Sequence, residues 1–95
     1  MTSKNYILAI DTSELFNADA VIKKLDLCLD WSRLLYGVYL INSNSDKEKL
    51  YNRFKSALGD TKFFLSTINL NDTYTGWLNK KKWERIKEFK QKEKV

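Results

Sequence analysis

Residues 32–42 have the sequence Ser-Arg-Leu-Leu-Tyr-Gly-Val-Tyr-Leu-Ile-Asn, and this stretch decides the fold. Its β-branched and aromatic content predicts strand, but it is about twice the usual strand length. Gly37 interrupts the run, and a glycine inside a strand pattern marks a turn, a bulge or a bend. We therefore predict either two short strands joined near Gly37 or one kinked strand.

The segment before this stretch predicts a strand and then a helix. An apolar run over residues 6–10 ends at Asp11, which is typical of a strand buried on both faces. Asn17 is the predicted N-cap of the helix that follows. Its apolar residues recur at helical spacing: Ala18, Val21, Ile22, Leu25, Cys28 and Leu29. On this pattern Cys28 is a core residue.

The segment after it predicts a helix, a strand and a second helix. Ser45 and Glu48 have the spacing of a capping box, and Gly59 ends the helix that they begin. Residues 62–70 predict a strand, and a basic C-terminal helix covers about residues 79–95, fraying from Lys90.

This order of elements predicts one α+β domain over residues 1–95. It is a ferredoxin-like sandwich, β-α-β(β)-α-β with an added C-terminal basic helix, in which both earlier helices cover one face of the sheet. A three-stranded α/β layer is the alternative.

Composition excludes several function classes. The 95 residues contain no histidine, which excludes a Ser-His-Asp triad, a Cys-His dyad and a His-containing zinc site within one chain. The single cysteine excludes an internal disulfide and favours a reducing compartment, so we expect a cytoplasmic protein. The three isolated glycines exclude a glycine-rich phosphate loop. No apolar run reaches the roughly 18 residues of a membrane span, so no membrane partner is expected.

The net charge of +5 comes from the C-terminal segment. Residues 1–76 hold nine basic and nine acidic residues, whereas residues 77–95 hold eight basic residues and three acidic ones. Two interpretations stay open: lysines that contact the phosphates of RNA or DNA, or a solvated helix whose aromatic residues pack inward. The candidate nucleic-acid-binding residues are Lys80, Lys81, Lys82, Arg85 and Lys87.

A set of short motifs also runs through residues 6–89 in a fixed order. They are Asp11 at the end of the first strand, Trp31 before the long β segment, Asp60 before the last strand, and Tyr74-Thr75-Gly76-Trp77-Leu78 followed by Trp83. By this pattern the chain resembles the superfamily of CRISPR-associated Cas-two nucleases, VapD-type ribonucleases and SinR-like proteins. The Gly-Trp ending resembles the SinR-like members most.

The resemblance implies a homodimer in which the Asp11 carboxylates of two subunits face one another. In the nuclease members this aspartate is associated with a divalent metal or with phosphodiester cleavage. The resemblance therefore implies that Asp11 is a catalytic and metal-binding residue, with Mg²⁺ as the cofactor. The alternative is that Asp11 caps the turn at Thr12 and Ser13 by accepting a backbone N–H bond.

Two functions from different classes follow. The first is a small dimeric nucleic-acid-associated protein that cleaves RNA or DNA with Mg²⁺ at paired Asp11 residues. The second is a non-catalytic module that binds a protein or a nucleic acid through its C-terminal helix, such as a mobile-element factor in host–virus conflict.

Tyr36 and Tyr39 would lie on opposite faces of a regular strand. Either one of them is exposed as a stacking platform, or both pack in the core or in a dimer interface.

Overall fold

The computed structural model describes residues 3–72 and 74–92 and has an α+β architecture. Its elements are β1 (Lys4–Ile10), α1 (Ala18–Leu25), β2 (Asp30–Leu35), β3 (Val38–Ser43), α2 (Lys47–Leu58), β4 (Phe63–Thr67) and α3 (Lys80–Lys92). The strands form one antiparallel sheet in the order β2-β3-β1-β4. Each β-α-β unit therefore leaves a gap that a third strand fills, which is the ferredoxin-like arrangement. The predicted fold class is confirmed, and the three-stranded alternative is not formed.

The central stretch forms two strands, as the first alternative predicts. β2 and β3 are joined by a tight turn at Tyr36 and Gly37. Gly37 has a φ of 80°, in the left-handed region that favours glycine. Tyr36 is exposed in this turn and its ring packs against Phe16, whereas Tyr39 is buried in the core. The two tyrosines thus differ because the turn takes Tyr36 out of the strand.

The first helix is shorter than its apolar pattern. Asn17 caps α1 as predicted, and its side chain accepts a backbone N–H bond from the first turn. The helix ends at Leu25, so the prediction that Cys28 and Leu29 continue it is wrong. The backbone of Leu29 instead donates to a β3 carbonyl and leads the chain into β2. Cys28 is half-buried and packs against the core, which agrees with its predicted place.

The second helix begins one residue later than the capping-box spacing indicates. Its N-cap is Asp46, whose Oδ1 accepts a bond of 2.9 Å from the backbone N–H of Lys49. Ser45 belongs to the preceding turn, because its own N–H donates to the hydroxyl of Ser43. The predicted end of the helix at Gly59 is confirmed.

The last two elements lie within the predicted segments. β4 occupies five residues near the start of the segment 62–70. α3 begins at Lys80, one residue after the predicted start, and stays helical through Lys92, beyond the point where fraying is expected. Residues 93–95 lie outside the described residues. No helix in the described ranges is both long and apolar enough to cross a membrane.

Two apolar clusters hold the layers together, one on each face of the sheet. α1 and α2 cover one face, as predicted, around these buried residues: Tyr6, Leu8, Ile10, Val21, Leu25, Tyr39, Ile41, Leu50, Phe54 and Leu58. α3 packs on the opposite face, where the buried residues are Leu40, Leu70, Ile86 and Phe89. The sheet is therefore the middle layer of three.

A buried polar network also attaches α3 to the sheet. The side-chain amide of Asn5 donates to the backbone carbonyl of Phe89 at 2.9 Å. The amide of Asn42 donates to Asn5 Oδ1 at 2.9 Å and to the hydroxyl of Ser3 at 3.1 Å. Because these bonds satisfy buried polar groups on both layers, they favour one position of the helix on the sheet.

Candidate functional site

Asp11 lies at the exposed end of β1, where the chain turns toward α1. Its backbone N–H donates to the carbonyl of Lys62 at 2.8 Å, and its Oδ1 accepts a bond of 2.9 Å from the N–H of Ser13. The N–H and then the hydroxyl of Ser13 lower the pKa of Asp11, and the charge of Lys62 lowers it further against a small opposing effect of burial. The geometry is that of a turn cap, which is the structural alternative for this residue.

The carboxylates around Asp11 do not gather into a metal site in one chain. No group of three or more Cys, Asp or Glu residues within the described ranges is placed to hold a metal ion. Asp11 alone supplies a single carboxylate, with one oxygen already used by Ser13. These residues do not fit Mg²⁺ by themselves, so no reaction step through a metal follows from this chain.

Asp11→Ala is expected to leave any nuclease activity of a purified preparation unchanged, because the carboxylate caps a turn. The measurement compares cleavage of single- and double-stranded RNA and DNA with Mg²⁺, Mn²⁺ or EDTA by wild type and variant from matched preparations. Asp11→Asn is the control, since an amide oxygen still accepts the Ser13 bond. Metal-dependent cleavage that both variants lose while they stay folded would contradict this prediction and support the paired-aspartate site.

The basic residues of α3 divide into two groups. Lys80, Lys81 and Lys87 are exposed and Lys82 is half-buried. Arg85 instead points toward the sheet, where its Nη2 donates to Asp30 Oδ1 at 2.8 Å and to the Trp31 carbonyl at 3.1 Å. Its Nη1 pairs with Glu88. Arg85 therefore attaches α3 to β2, a role that its position in a lysine-rich sequence did not indicate.

Asp30 forms ion pairs with two basic residues of α3, Arg85 and Lys92. Lys92 Nζ lies 3.5 Å from Asp30 Oδ2, on the other side of the carboxylate from Arg85. Burial raises the pKa of Asp30, but hydrogen bonds from Arg85 and the Trp31 N–H, with the charges of Arg85 and Lys92, hold that pKa below its ordinary value. The pKa of Arg85 is raised, mainly by its hydrogen bond to Asp30. Asp30 thus stays ionised and holds the helix at neutral pH.

An apolar groove opens on the face of the sheet that carries α3. Its floor consists of Ile7, Leu34, Val38 and Leu40, its wall consists of Trp77 and Trp83, and its volume is about 280 Å³. We call this feature the sheet-face groove. The Trp77 side chain is 97% exposed although it borders the groove, and Leu35 on the rim is 56% exposed. Large apolar side chains left in solvent around a hollow are typical of a binding surface.

The first turn of α3 begins three residues after Trp77. It consists of Lys80, Lys81 and Lys82, which we call the lysine rim. Lys82 lines a hollow that adjoins the groove and shares Leu34, Leu35 and Trp77 with it. No acidic residue occupies this turn. Because the N-terminal end of a helix carries partial positive charge, lysines there are unfavourable by about 0.3–1 kcal/mol each. The rim therefore places positive charge where helix stability alone would disfavour it.

The sequence indicated the rim and Trp77 but not the groove between them. Leu34 and Leu35 are adjacent apolar residues in a strand, and period-two alternation indicates that one of them faces solvent. These adjacent leucines were the sequence signal that an apolar side chain is exposed here. The proximity of Trp77 to Ile7 in β1 depends on where residues 74–78 lie relative to the sheet, which no local pattern predicts.

Comparison of the chain with protein-family models, with curated proteins and with solved structures finds no match. The fold and the site define the class: a ferredoxin-like α+β domain with a third layer, formed by α3, and an apolar groove beside the lysine rim.

Proposed function

We propose that this protein is a non-catalytic binding module whose sheet-face groove holds a segment of a partner protein. The segment is acidic and is anchored by apolar side chains. The observation that carries the proposal is Trp77, which is 97% exposed beside an apolar groove and lies three residues before the first of three lysines. Burial of such surface by a partner is the main source of binding free energy at a site of this kind.

The chemistry of the floor favours a protein. Ile7, Leu34, Val38 and Leu40 are all aliphatic, so they offer no side-chain hydrogen bond to an occupant. The edges of a nucleobase are polar, and their burial against such a surface without partners is unfavourable. Leucine, isoleucine or phenylalanine side chains fill an aliphatic hollow without that penalty.

The lysine rim favours an acidic segment. Lys82 and the N-terminal end of α3 make the border of the groove near Trp77 positive, and Lys80 and Lys81 in the same turn add to that charge. Carboxylates on the partner would meet these charges at an exposed border, where they increase the association rate and the specificity more than the affinity. The rim thereby selects among apolar segments by the charge of their flanks.

A second candidate function is the binding of single-stranded RNA or DNA. It is favoured by the exposed Trp77 ring next to lysines, the combination that stacks bases and contacts phosphates in sequence-tolerant binding. Tyr74 stacks on Trp83 with an interplanar angle of 17°, which adds a second aromatic surface. The metal-dependent nuclease and the facing-aspartate homodimer that the resemblance implies are proposals of lower rank, since Asp11 acts as a turn cap.

The test measures binding of three fluorescently labelled probes by anisotropy. They are an amphipathic leucine-glutamate peptide, a leucine-lysine peptide of the same pattern and a polyuridine oligonucleotide. We expect the acidic peptide to bind and the basic peptide not to. Leu35→Glu should weaken binding of the acidic peptide about tenfold or more, because it places a negative charge on the groove. Leu27→Glu is the matched control: its side chain is 62% exposed and lies away from the groove.

Charge reversal separates the rim from net charge. Glutamate at Lys80, Lys81 and Lys82 should abolish the preference for the acidic peptide. Glutamate at Lys23, Lys47 and Lys49, which changes the net charge by the same amount, should preserve it. No binding of the acidic peptide up to about 1 mM would refute the proposed function. Tight oligonucleotide binding that Trp77→Ala removes and salt weakens would establish the second candidate instead.

A further inference from the structure

The two edges of the sheet are built differently. β2 forms one edge and carries Asp30, Arg33 and an irregularity in register between Arg33 and Leu35. Charges and bulges of this kind hinder pairing with another strand. β4 forms the other edge with the sequence Phe-Phe-Leu-Ser-Thr, which contains neither a charge nor a proline. The β4 edge therefore lacks the protection that the β2 edge has.

The register of β4 on β1 shows which backbone groups point outward. The carbonyl of Lys62 accepts from Asp11, and the N–H of Ile68 donates to Asn5. Even-numbered residues of this segment thus bond toward β1, and in an antiparallel pair the alternate residues bond toward the other side. The N–H and carbonyl groups of Phe63, Leu65 and Thr67 consequently point away from the sheet. They form a set that is symmetric about Leu65.

Apolar and charged side chains flank this edge. Phe64 is 67% exposed, and the rings of Tyr51 and Phe63 lie 5.5 Å apart beside it. A hollow at the junction of β4 and α2 is also bordered by Lys47 and Glu48, which have opposite charges. A surface with neighbouring opposite charges is complementary to its own image when a twofold axis brings two copies together.

We propose that a second copy of this chain pairs with the β4 edge, antiparallel and centred on Leu65. Phe63 then lies opposite Thr67 of the other copy, and these outward groups form about six hydrogen bonds between the chains. The result is one continuous sheet of both subunits, with α2 of each copy on the same face. Lys47 and Glu48 have opposite charges beside this edge, so the twofold axis of a second copy brings each charge toward its complement, which an unrelated strand does not supply.

This dimer differs from the one that the resemblance implies. Asp11 lies beside the Lys62 end of β4, and antiparallel pairing sends the two Lys62 ends to opposite ends of the interface. With strands about 4.8 Å apart and a rise of about 3.4 Å per residue, the two Asp11 residues lie about 25 Å apart. They cannot share a metal ion in this arrangement.

Disulfide trapping tests the register directly. In a Cys28→Ala background, Phe64→Cys and Ser66→Cys are prepared as separate proteins. Centred pairing places residue 64 opposite residue 66 of the other copy in a close pair, about 4.5 Å between Cα atoms, which a disulfide can bridge. We expect a mixture of the two proteins to form a covalent dimer under mild oxidation and each protein alone to form little. Asp11→Cys in the same background is expected to form no covalent dimer.

Sedimentation equilibrium tests the interface without crosslinks. Phe64→Lys places a charge on the edge. Thr67→Pro removes an N–H that points outward, and an edge strand tolerates proline there because no bond within its own sheet is lost. Each should weaken dimerisation about tenfold or more and leave the circular dichroism spectrum unchanged. Leu15→Lys is the control, since Leu15 is 94% exposed and precedes α1.

Several results would overturn the proposal. One is a monomeric wild type at every concentration up to about 1 mM. Others are a dimer that neither β4 variant weakens, or efficient crosslinking of Asp11→Cys alone. Failure of the groove-binding test leaves this proposal unaffected, because none of its variants lies in the sheet-face groove.

Discussion

Truncation of Phe89 to alanine is expected to lower the free energy of unfolding by about 3–5 kcal/mol. The Phe89 ring is fully buried in the cluster between α3 and the sheet, with Leu40, Leu70 and Ile86. The Arg85 guanidinium carbon lies 5.0 Å from the centre of this ring, so the truncation also removes a cation–π contact. This is the largest single loss that we expect from a residue on α3.

The same truncation should impair the sheet-face groove. Trp83 and Ile86 line the groove from α3, so their places depend on the docking of that helix. Urea unfolding is followed by far-UV circular dichroism and by fluorescence in a background with Trp31→Phe and Trp77→Phe. Trp83 then reports on α3, and the dichroism reports on the whole domain. Two transitions at different urea concentrations would indicate that α3 leaves the sheet before the rest unfolds.

Two controls separate lost packing from altered helix propensity. Gln91→Ala changes an exposed residue of the same helix and should shift the free energy of unfolding by no more than about 0.5 kcal/mol. Phe89→Leu keeps most of the apolar volume and should cost less than Phe89→Ala. A loss for Phe89→Ala that is no larger than that of Gln91→Ala would show that α3 contributes little to the stability of the domain.

Local sequence patterns predicted several elements and their ends correctly. The apolar run before Asp11, the cap at Asn17 and the glycine ends at Gly37 and Gly59 each depend on residues close in sequence. Their order then limits the sheet to few topologies, because β-α-β units are right-handed and consecutive strands pair. The face chosen by α3 could not be predicted in this way.

That choice depends on polar residues that look ordinary in sequence. Asn5 and Asn42 sit near strand ends, where asparagine usually marks a turn. In the structure they are buried, and the side chain of Asn5 bonds to the backbone of α3 at Phe89. Arg85 is likewise one of many basic residues until Asp30 is placed beside it. Both contacts join residues that are far apart in sequence, so neither residue alone predicts the contact.

The second large effect is expected at Gly37, where Gly37→Ala should lower the free energy of unfolding by about 2–4 kcal/mol. A Cβ built at Gly37 lies 2.5 Å from Thr12 Cγ2 and 3.1 Å from the Ile10 carbonyl oxygen, and the φ of 80° is itself unfavourable for alanine. Gly59→Ala is the matched control, since its φ is 59° and nothing lies within 4 Å of the added Cβ. Its φ of 59° and ψ of −116° give alanine a conformational penalty of about 1–3 kcal/mol without a clash. A larger loss for Gly37→Ala than for Gly59→Ala in chemical denaturation would indicate the added steric contact.

Thr12→Ser separates the two contacts that an alanine at Gly37 would make, because it removes Cγ2 and keeps the hydroxyl. Combined with Gly37→Ala, it should restore roughly 1 kcal/mol, and the contact with the Ile10 carbonyl should account for the remainder. The N–H of Ile10 donates to the Gly37 carbonyl at 2.8 Å, so amide exchange at Ile10 should quicken in Gly37→Ala and slow again in the double variant. Additive losses with no recovery would mean that the turn moves away from Thr12 as a unit. Recovery would show that the turn after β2 stays packed against Thr12, in the loop that follows Asp11.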